Sequence, residues 1–321
     1  MQSSSKNKKR KFDVTKYMVY IIFVAAVIIF GVWLGGTFFS VANILNIVRQ
    51  TAMISIMAVG MTFVIATGGI DLTVSGIVPM AGLLAAIILQ HTGNLFLAVL
   101  APVLLGAAVG SVNGILITSL SIPPFLVTLG MQGIFKGMAM WVSNTKSMPI
   151  YDSMFCTVFG FGSVGPVPIL LVWTIVFMLL GYYLLNHCTY GRKVLAIGGN
   201  AEAAKYSGIK VNRVIISTYM LSAMLASVAG LLYAGRTKSA KYTYGENDEM
   251  TIIAAVVLGG TAMSGGTGSV IGAIVGSLLM GMINNGLVMG GLTVSQQQMV
   301  RGFIIIFAVA ISNFGNKKKK V

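Results

Sequence analysis

An all-α, polytopic integral membrane protein with about ten transmembrane helices is the fold class this sequence predicts. Three observations predict it. Of 321 residues, 56% are hydrophobic and only 9% charged, with a mean hydropathy of +0.88; a soluble domain carries about 25% charged residues. Ten apolar stretches approach the roughly 20 residues that cross a bilayer. The basic residues concentrate in the polar segments between and beyond them. No polar stretch reaches the roughly 50 residues of a soluble domain.

Taken in order, a basic stretch over residues 6–16 precedes the first span, expected at 18–35. That pair has the look of a signal peptide, but the run is long and lacks a small-residue cleavage site, so it is expected to be retained. Residues 37–50 are expected as a surface helix or connector, separate from a second span at 51–67. The third span is placed at 73–90, followed by a tight turn, His91-Thr92-Gly93-Asn94. The fourth, 95–118, ends at Pro123-Pro124, and the fifth covers 125–142. An aqueous loop punctuated by Gly and Pro (144–166) leads to the sixth at 167–187. Beyond the central polar loop come the seventh span (214–235), the eighth (250–264), the ninth (269–289) and the tenth (299–314). The chain divides into a basic tail (1–17), a first transmembrane half (18–187), a polar loop (188–213), a second half (214–314) and a second basic tail (315–321).

Basic residues orient this scheme, because cytoplasmic loops carry the Lys/Arg excess. The N-terminal tail holds six Lys/Arg, the central loop five and the C-terminal tail four, fifteen of twenty-two in all. Both termini and the central loop are therefore assigned to the cytoplasm. The net charge of +15 belongs to this orientation signal and not to nucleic-acid binding, since interleaved aromatic and basic residues are missing. Cys156 and Cys188 fall on opposite sides and should not pair. Neither Cys/His spacing nor a carboxylate cluster suggests a metal site.

The central loop contains Asn200-Ala201-Glu202-Ala203-Ala204-Lys205-Tyr206. Asn is a favoured N-cap, a first-turn carboxylate suits the helix dipole, and Gly208 fits the left-handed residue after a helix end. A capped helix here is either a docking element for another protein or part of an ordinary solvated loop. An internal echo links Gly106-Ala107-Ala108-Val109-Gly110-Ser111 in the fourth span with Gly272-Ala273-Ile274-Val275-Gly276-Ser277 in the ninth. The two spans cross in opposite directions, as in an inverted repeat of five plus five. Their spaced glycines suit close helix packing.

Four groups of residues carry candidate chemistry. Gly68-Gly69-Ile70-Asp71 is a turn whose acid either caps the third helix or has a functional role. Leu258-Gly259-Gly260-Thr261 is a tight turn between packed helices; without a P-loop the chain has no visible means of binding ATP. The amides Asn113, Gln132, Asn284 and Asn285 either line a route for a hydroxylated solute or join helices. Gln297 and Arg301 either continue that route or anchor the tenth span in the headgroups. Few carboxylates or histidines fall inside the spans, which argues for an external energy source. No nucleophile–base pair is visible, and no enzymatic activity is expected.

The segments Met57-Ala58-Val59-Gly60-Met61-Thr62, Gly68-Gly69-Ile70-Asp71-Leu72-Thr73-Val74, Gly191-Arg192 with Gly198-Gly199-Asn200-Ala201-Glu202-Ala203-Ala204 and Ser207-Gly208-Ile209, and Ala254-Ala255-Val256-Val257-Leu258-Gly259-Gly260-Thr261 together resemble the permease subunits of bacterial monosaccharide ABC importers, the ribose type in particular. The likeness runs from about residue 38 to 312. It implies a multi-pass protein of the bacterial cytoplasmic membrane that forms a dimer, expected to be a homodimer. It implies two ATP-binding-cassette domains that hold ATP and magnesium, no cofactor on this chain, and an extracytoplasmic sugar-binding protein. It also implies that Gly191, Arg192, Asn200, Glu202, Ala203, Ala204 and Gly208 belong to a helix seated in a groove of the ATPase. The expected function is ATP-driven import of a neutral monosaccharide by alternating access; the alternative is an ion-coupled sugar carrier.

Overall fold

Helix α1 (Val14–Leu34) opens the described part of the chain, residues 14–317 of a computed structural model. Most of both basic tails falls in residues 1–13 and 318–321, outside the described residues. A single tight turn, Gly35–Thr37, leads into α2 (Val41–Ala66). Here the structure corrects the sequence reading: residues 41–50 are not a separate surface helix but the first turns of α2. The Ser40 hydroxyl accepts the Asn43 N–H at 3.3 Å and caps the helix, and no Gly or Pro interrupts the chain until Gly60. At 26 residues the helix is about 39 Å long, longer than the hydrocarbon core of about 30 Å.

The next helices match expectation closely. They are α3 (Val74–Thr92), α4 (Leu95–Ser119) and α5 (Pro124–Ser143). Gly93 at φ +63° closes α3, and Asn94 Oδ1 accepts the Leu97 N–H at 3.0 Å to cap α4. The loop that follows has local order: β1 (Met148–Pro149), a one-turn helix α6 (Ser153–Cys156), a wide turn over Thr157–Phe161, and a small hairpin of β2 (Ser163–Val164) and β3 (Val167–Pro168). Then come α7 (Ile169–Asn186), α8 (Thr189–Gly199), α9 (Ala201–Tyr206), α10 (Val211–Thr237), β4 (Ser239–Ala240), α11 (Asp248–Leu258), α12 (Val270–Met289) and α13 (Val294–Lys317).

Among the described residues, eight helices are long and apolar enough to cross a membrane. The expected tenth span falls within α13. The expected eighth span is shorter than foreseen: α11 has 11 residues, about 16 Å, half a bilayer. Gly259 ends it, followed by Gly260 at φ +93°. Gly259 lies so close to Gly272 of α12 that a side chain at either would strike the other's backbone.

Helices α2 and α10 make the centre, and residues 51–66 of α2 are all buried. Helix α10 packs on α4, α3 and α2; helix α2 packs on α12, α11 and α10. Exchanging α2–α5 for α10–α13 therefore reproduces the same set of neighbours: α3 packs on α4 and α5 as α11 packs on α12 and α13. The exchange reverses direction. β4 pairs antiparallel with β1, so the loops before α11 and after α5 share one side. The N–H of Gly266 donates to the Ala66 carbonyl at 3.0 Å, so α2 ends on the opposite side, beside α8, where α10 begins. The paired six-residue segments of the sequence fall on the equivalent helices α4 and α12.

Their glycines work as small residues do in membrane helices, letting backbones meet. A methyl on Gly106, Gly110 or Gly114 would run into α10 at Ala223, Tyr219 or Ile216; one on Gly276 would run into Ala255 of α11. Gly130 of α5, in contrast, faces open space. Gly110→Val should lower stability by about 1–3 kcal/mol or more through overpacking. Gly130→Ala should be neutral or gain up to about 1 kcal/mol from helix propensity. Thermal unfolding of the purified protein in detergent checks both.

Candidate functional site

The central loop is built as two helices where the sequence suggested one. In α9, Asn200 Oδ1 accepts the Ala203 N–H at 3.0 Å, and Gly208, at φ +82°, lets the Ile209 N–H return to the Ala204 carbonyl at 3.1 Å. Of the expected coupling residues, Arg192, Asn200, Glu202, Ala203 and Gly208 are exposed, whereas Gly191 and Ala204 are buried. Gly191 lies against the carbonyls of Leu184 and Leu185 at the end of α7, where no side chain fits. Tyr206 stands 88% exposed beside them. α9 thus projects a small capped surface while Ala204 roots it.

Gly198 enters the sequence reading only as part of the family resemblance, with no role of its own, and it is the point where this loop enters the bundle. A Cβ there would collide with the Ala66 carbonyl and the Gly266 amide. A Cβ on Gly265, at φ +80°, would in turn crowd Gly198 and the Gly68 N–H. The loop therefore touches the turn after α2 and the turn after α11 at once, one from each repeat.

The first of those turns holds Asp71, which is fully buried. Its Oδ1 accepts the Thr73 N–H at 3.0 Å, a bond across two residues that braces the turn before α3 from inside the protein, while α3 itself has no side-chain cap. Oδ2 has no hydrogen-bond partner, and the nearby Ser222 hydroxyl also lacks one. Burial pushes this carboxyl up from 3.8 to about 6, against the opposing influence of Ser222 and Thr73. Gly69 gives room to the Tyr219 hydroxyl, which donates to the Ile70 carbonyl at 3.3 Å. Asn113 donates to the Thr73 hydroxyl at 2.8 Å. Asn113 thus joins α4 to this turn and does not meet the other candidate amides.

The remaining candidates separate into two places. Gln132 donates to Ser75 at 2.7 Å and to Glu249 Oε1 at 3.1 Å, linking α5, α3 and α11. Glu249 is only 6% exposed, and its second oxygen is unpartnered. Asn284 and Arg301 bond to each other and border a cavity of about 240 Å³ with Gln50, Tyr233, Arg236, Asp248 and Thr251. Asn285 borders a wider neighbouring cavity with Asn43, Asn46, Arg49 and Gln50. Gln297 stands apart: its side-chain amide donates to the Leu292 carbonyl at 2.9 Å, holding the turn before α13. Glu249 and Asp248 were missed. Their signal is an acidic pair separated by two residues from the apolar run Ile252–Leu258.

Comparison with known proteins fits this architecture. The family described as branched-chain amino acid transport system / permease component matches residues 43–309. The chain belongs to this permease family. Curated relatives align over almost their whole length. The ribose import permease of Escherichia coli (strain K12) is 38% identical over 286 residues, 87% of this chain and 88% of the relative. The D-allose transport system permease of the same strain is 31% identical over 319 residues, 98% of each chain. The galactose/methyl galactoside import permease of Haemophilus influenzae is 33% identical over 337 residues, 99% of this chain and all of the relative. No solved structure matches the permease.

Asp71 makes the permease's stability depend on pH. Its folded value of about 6 lies above its ordinary 3.8, so the folded state holds the proton more tightly. The ionised form costs stability above pH 6, and that cost is relieved as pH falls through 6 towards 4. Between pH 7.5 and pH 5 this group alone should add about 1 kcal/mol of stability. Asp71→Asn keeps the acceptor for Thr73 and should remove that increment, as read from thermal unfolding at the two pH values.

Proposed function

We propose that this permease is the transmembrane subunit of an ABC importer for a neutral monosaccharide, ribose or a similar sugar. The observation that carries the coupling half of this reading is the Gly198 junction. A helix that projects from the membrane domain is rooted, within van der Waals distance, against the turns after α2 and α11. A push on α9 is therefore delivered to both repeats, and only an energy source outside the chain needs such a lever. The curated relatives that import ribose, D-allose and galactose support the substrate class.

In this reading two copies of the chain pair in the membrane. Two ATP-binding-cassette subunits hold ATP and magnesium and seat α9 through Glu202, Ala203 and the exposed Tyr206. An extracytoplasmic binding protein delivers sugar to the opposite face. Nucleotide binding moves α8–α9, and the glycine turns let one repeat rock against the other, exposing a polar route alternately to each side. The chain itself breaks and forms no covalent bonds.

The buried carboxylates favour a second reading. Asp71 and Glu249 lie inside the bundle with unpartnered oxygens, which is the equipment an ion-coupled carrier uses. One experiment separates the two readings. Uptake of a panel of labelled monosaccharides is measured in vesicles with and without the ATPase subunits. The importer reading expects uptake of at least one neutral sugar that requires ATPase and ATP; uptake that persists without them and collapses with the proton gradient selects the carrier.

Gly208→Pro cannot adopt φ +82°, and Glu202→Arg reverses the exposed charge on α9. Both variants should insert normally yet lose at least about tenfold in ATP-dependent uptake, the equivalent of 1.4 kcal/mol. Unchanged uptake and unchanged co-purification of the ATPase in both would remove α9 from the coupling role.

A further inference from the structure

We infer that the cavity between α2, α10, α11, α12 and α13 is a binding site for one neutral monosaccharide on the outer side of the permease, a station between the extracytoplasmic face and the gate. This rests on the sugar-importer reading and adds a place and a chemistry to it. The cavity lies at the end of the bundle where α10 finishes, α11 starts and α13 starts. It is the side of the β1–β4 pair, opposite the α8–α9 lever. Its volume is about 240 Å³, well above the roughly 10–15 Å³ that one water needs and on the scale of one small sugar.

The lining offers donors and acceptors in the mixture that hydroxyl groups need, since each hydroxyl both gives and takes a hydrogen bond. Asp248 accepts the Tyr233 O–H at 2.7 Å on one oxygen; among the described residues its other oxygen has no partner. Gln50 spends its N–H on Asn46 at 3.2 Å, which leaves its carbonyl free to accept. Asn284 accepts from Arg301 through its carbonyl, which leaves its amide N–H groups free to donate. The Arg236 guanidinium makes no hydrogen bond among the described residues, and Arg301 keeps further N–H groups. The Tyr233 ring, held by a stack on Tyr244 at 5.5 Å, supplies an apolar wall for the C–H face of a sugar. A carboxylate, a free carbonyl and two guanidiniums lining one cavity suit vicinal hydroxyls. An anionic sugar acid would be drawn to the Arg236 and Arg301 guanidiniums but would set its charge against Asp248, whereas a neutral sugar can bond to all three.

Access is provided by the wider cavity beside it, which shares Gln50 and adds Asn46, Arg49 and Asn285. Amides and guanidiniums therefore continue from one cavity to the next.

The test places a thiol in the cavity wall and asks whether sugar shields it. Thr251 borders the cavity and takes no part in the hydrogen bonds named above. Thr251→Cys is made with Cys156→Ser and Cys188→Ser and assembled with the ATPase subunits in vesicles. Retained uptake shows that the complex is competent. A membrane-impermeant thiol reagent is then added from outside, with and without the neutral monosaccharide identified by uptake. Labelling is expected to slow about tenfold when that sugar is raised to about ten times its dissociation constant. A neutral sugar that is not transported should leave the rate unchanged, and adding Asn284→Leu should abolish the protection. Transport without protection overturns the site while leaving the importer reading standing, as does stronger protection by the sugar acid than by the neutral sugar. If no neutral monosaccharide is taken up by the wild-type complex, the importer reading fails and this site falls with it.

Discussion

Backbone against backbone at Gly198 is the contact on which the rest of the permease depends. The Ala66 carbonyl, the Gly266 amide and the Gly198 Cα occupy space that admits no side chain, and the Gly266 N–H closes the set with a 3.0 Å bond to Ala66. Such a junction transmits displacement without the slack of a rotatable side chain, because packed interiors deform little and tend to switch between discrete arrangements. It also explains why the loop from α7 to α10 carries two helices. α8, with Gly191, Val194 and Ile197 buried, is the arm; α9 is the exposed tip.

The junction gains meaning from the repeat. Exchanging α2–α5 for α10–α13 preserves the neighbours and reverses the crossing direction, so each half presents the same kind of hinge on opposite sides. In the first half the hinge is Gly68 and Gly69, with Asp71 three residues beyond Gly68; in the second, Gly245 at φ +75° stands three residues before Asp248. One of these acids is sealed inside with an unpartnered oxygen; the other opens onto a cavity. The symmetry of the backbone is thus broken by solvent exposure. In the importer reading proposed above, that difference sets one of these turns beside α8 and the other on the cavity.

Much of this fold was legible in the sequence because a bilayer simplifies the rules. Length, apolarity and basic flanks placed α3, α4, α5, α7, α10 and α12 to within a few residues. The Asn200 cap and the Gly208 turn were readable for the same local reason: each depends on a side chain or a φ value belonging to the segment itself. The misplaced elements depended on remote partners. α2 was divided because its first turns are half-buried and carry Asn46, Arg49 and Gln50, which look like loop residues until the cavities they line are seen. α11 was drawn too long because Ala262 and Met263 continue the apolar run, whereas Gly259 must stop the helix to fit against Gly272. The role of Gly198 left no local mark.

The candidate site was less legible than the fold, for a related reason. A polar residue in a span has two uses, and only its partners distinguish them. Asn113 and Gln297 donate to the Thr73 hydroxyl and to the Leu292 carbonyl respectively, which ties helix and turn together, while the Asn113 Oδ1 is buried without a partner. Asn284 and Arg301 also bond to each other, yet each retains donors that face open volume. Burying a polar group without a partner costs roughly 1–3 kcal/mol, so groups inside the bundle should be fully paired unless water or solute reaches them. The free carbonyl of Gln50, the free amide of Asn284 and the second oxygen of Asp248 line one cavity; the buried atoms without a partner lie elsewhere, at Asp71, Ser222 and Asn113 around the turn before α3, at Glu249 beside Gln132, and at Asn285 on the wider cavity. In the importer reading proposed above, groups of both kinds are places where water or solute could supply the missing partner.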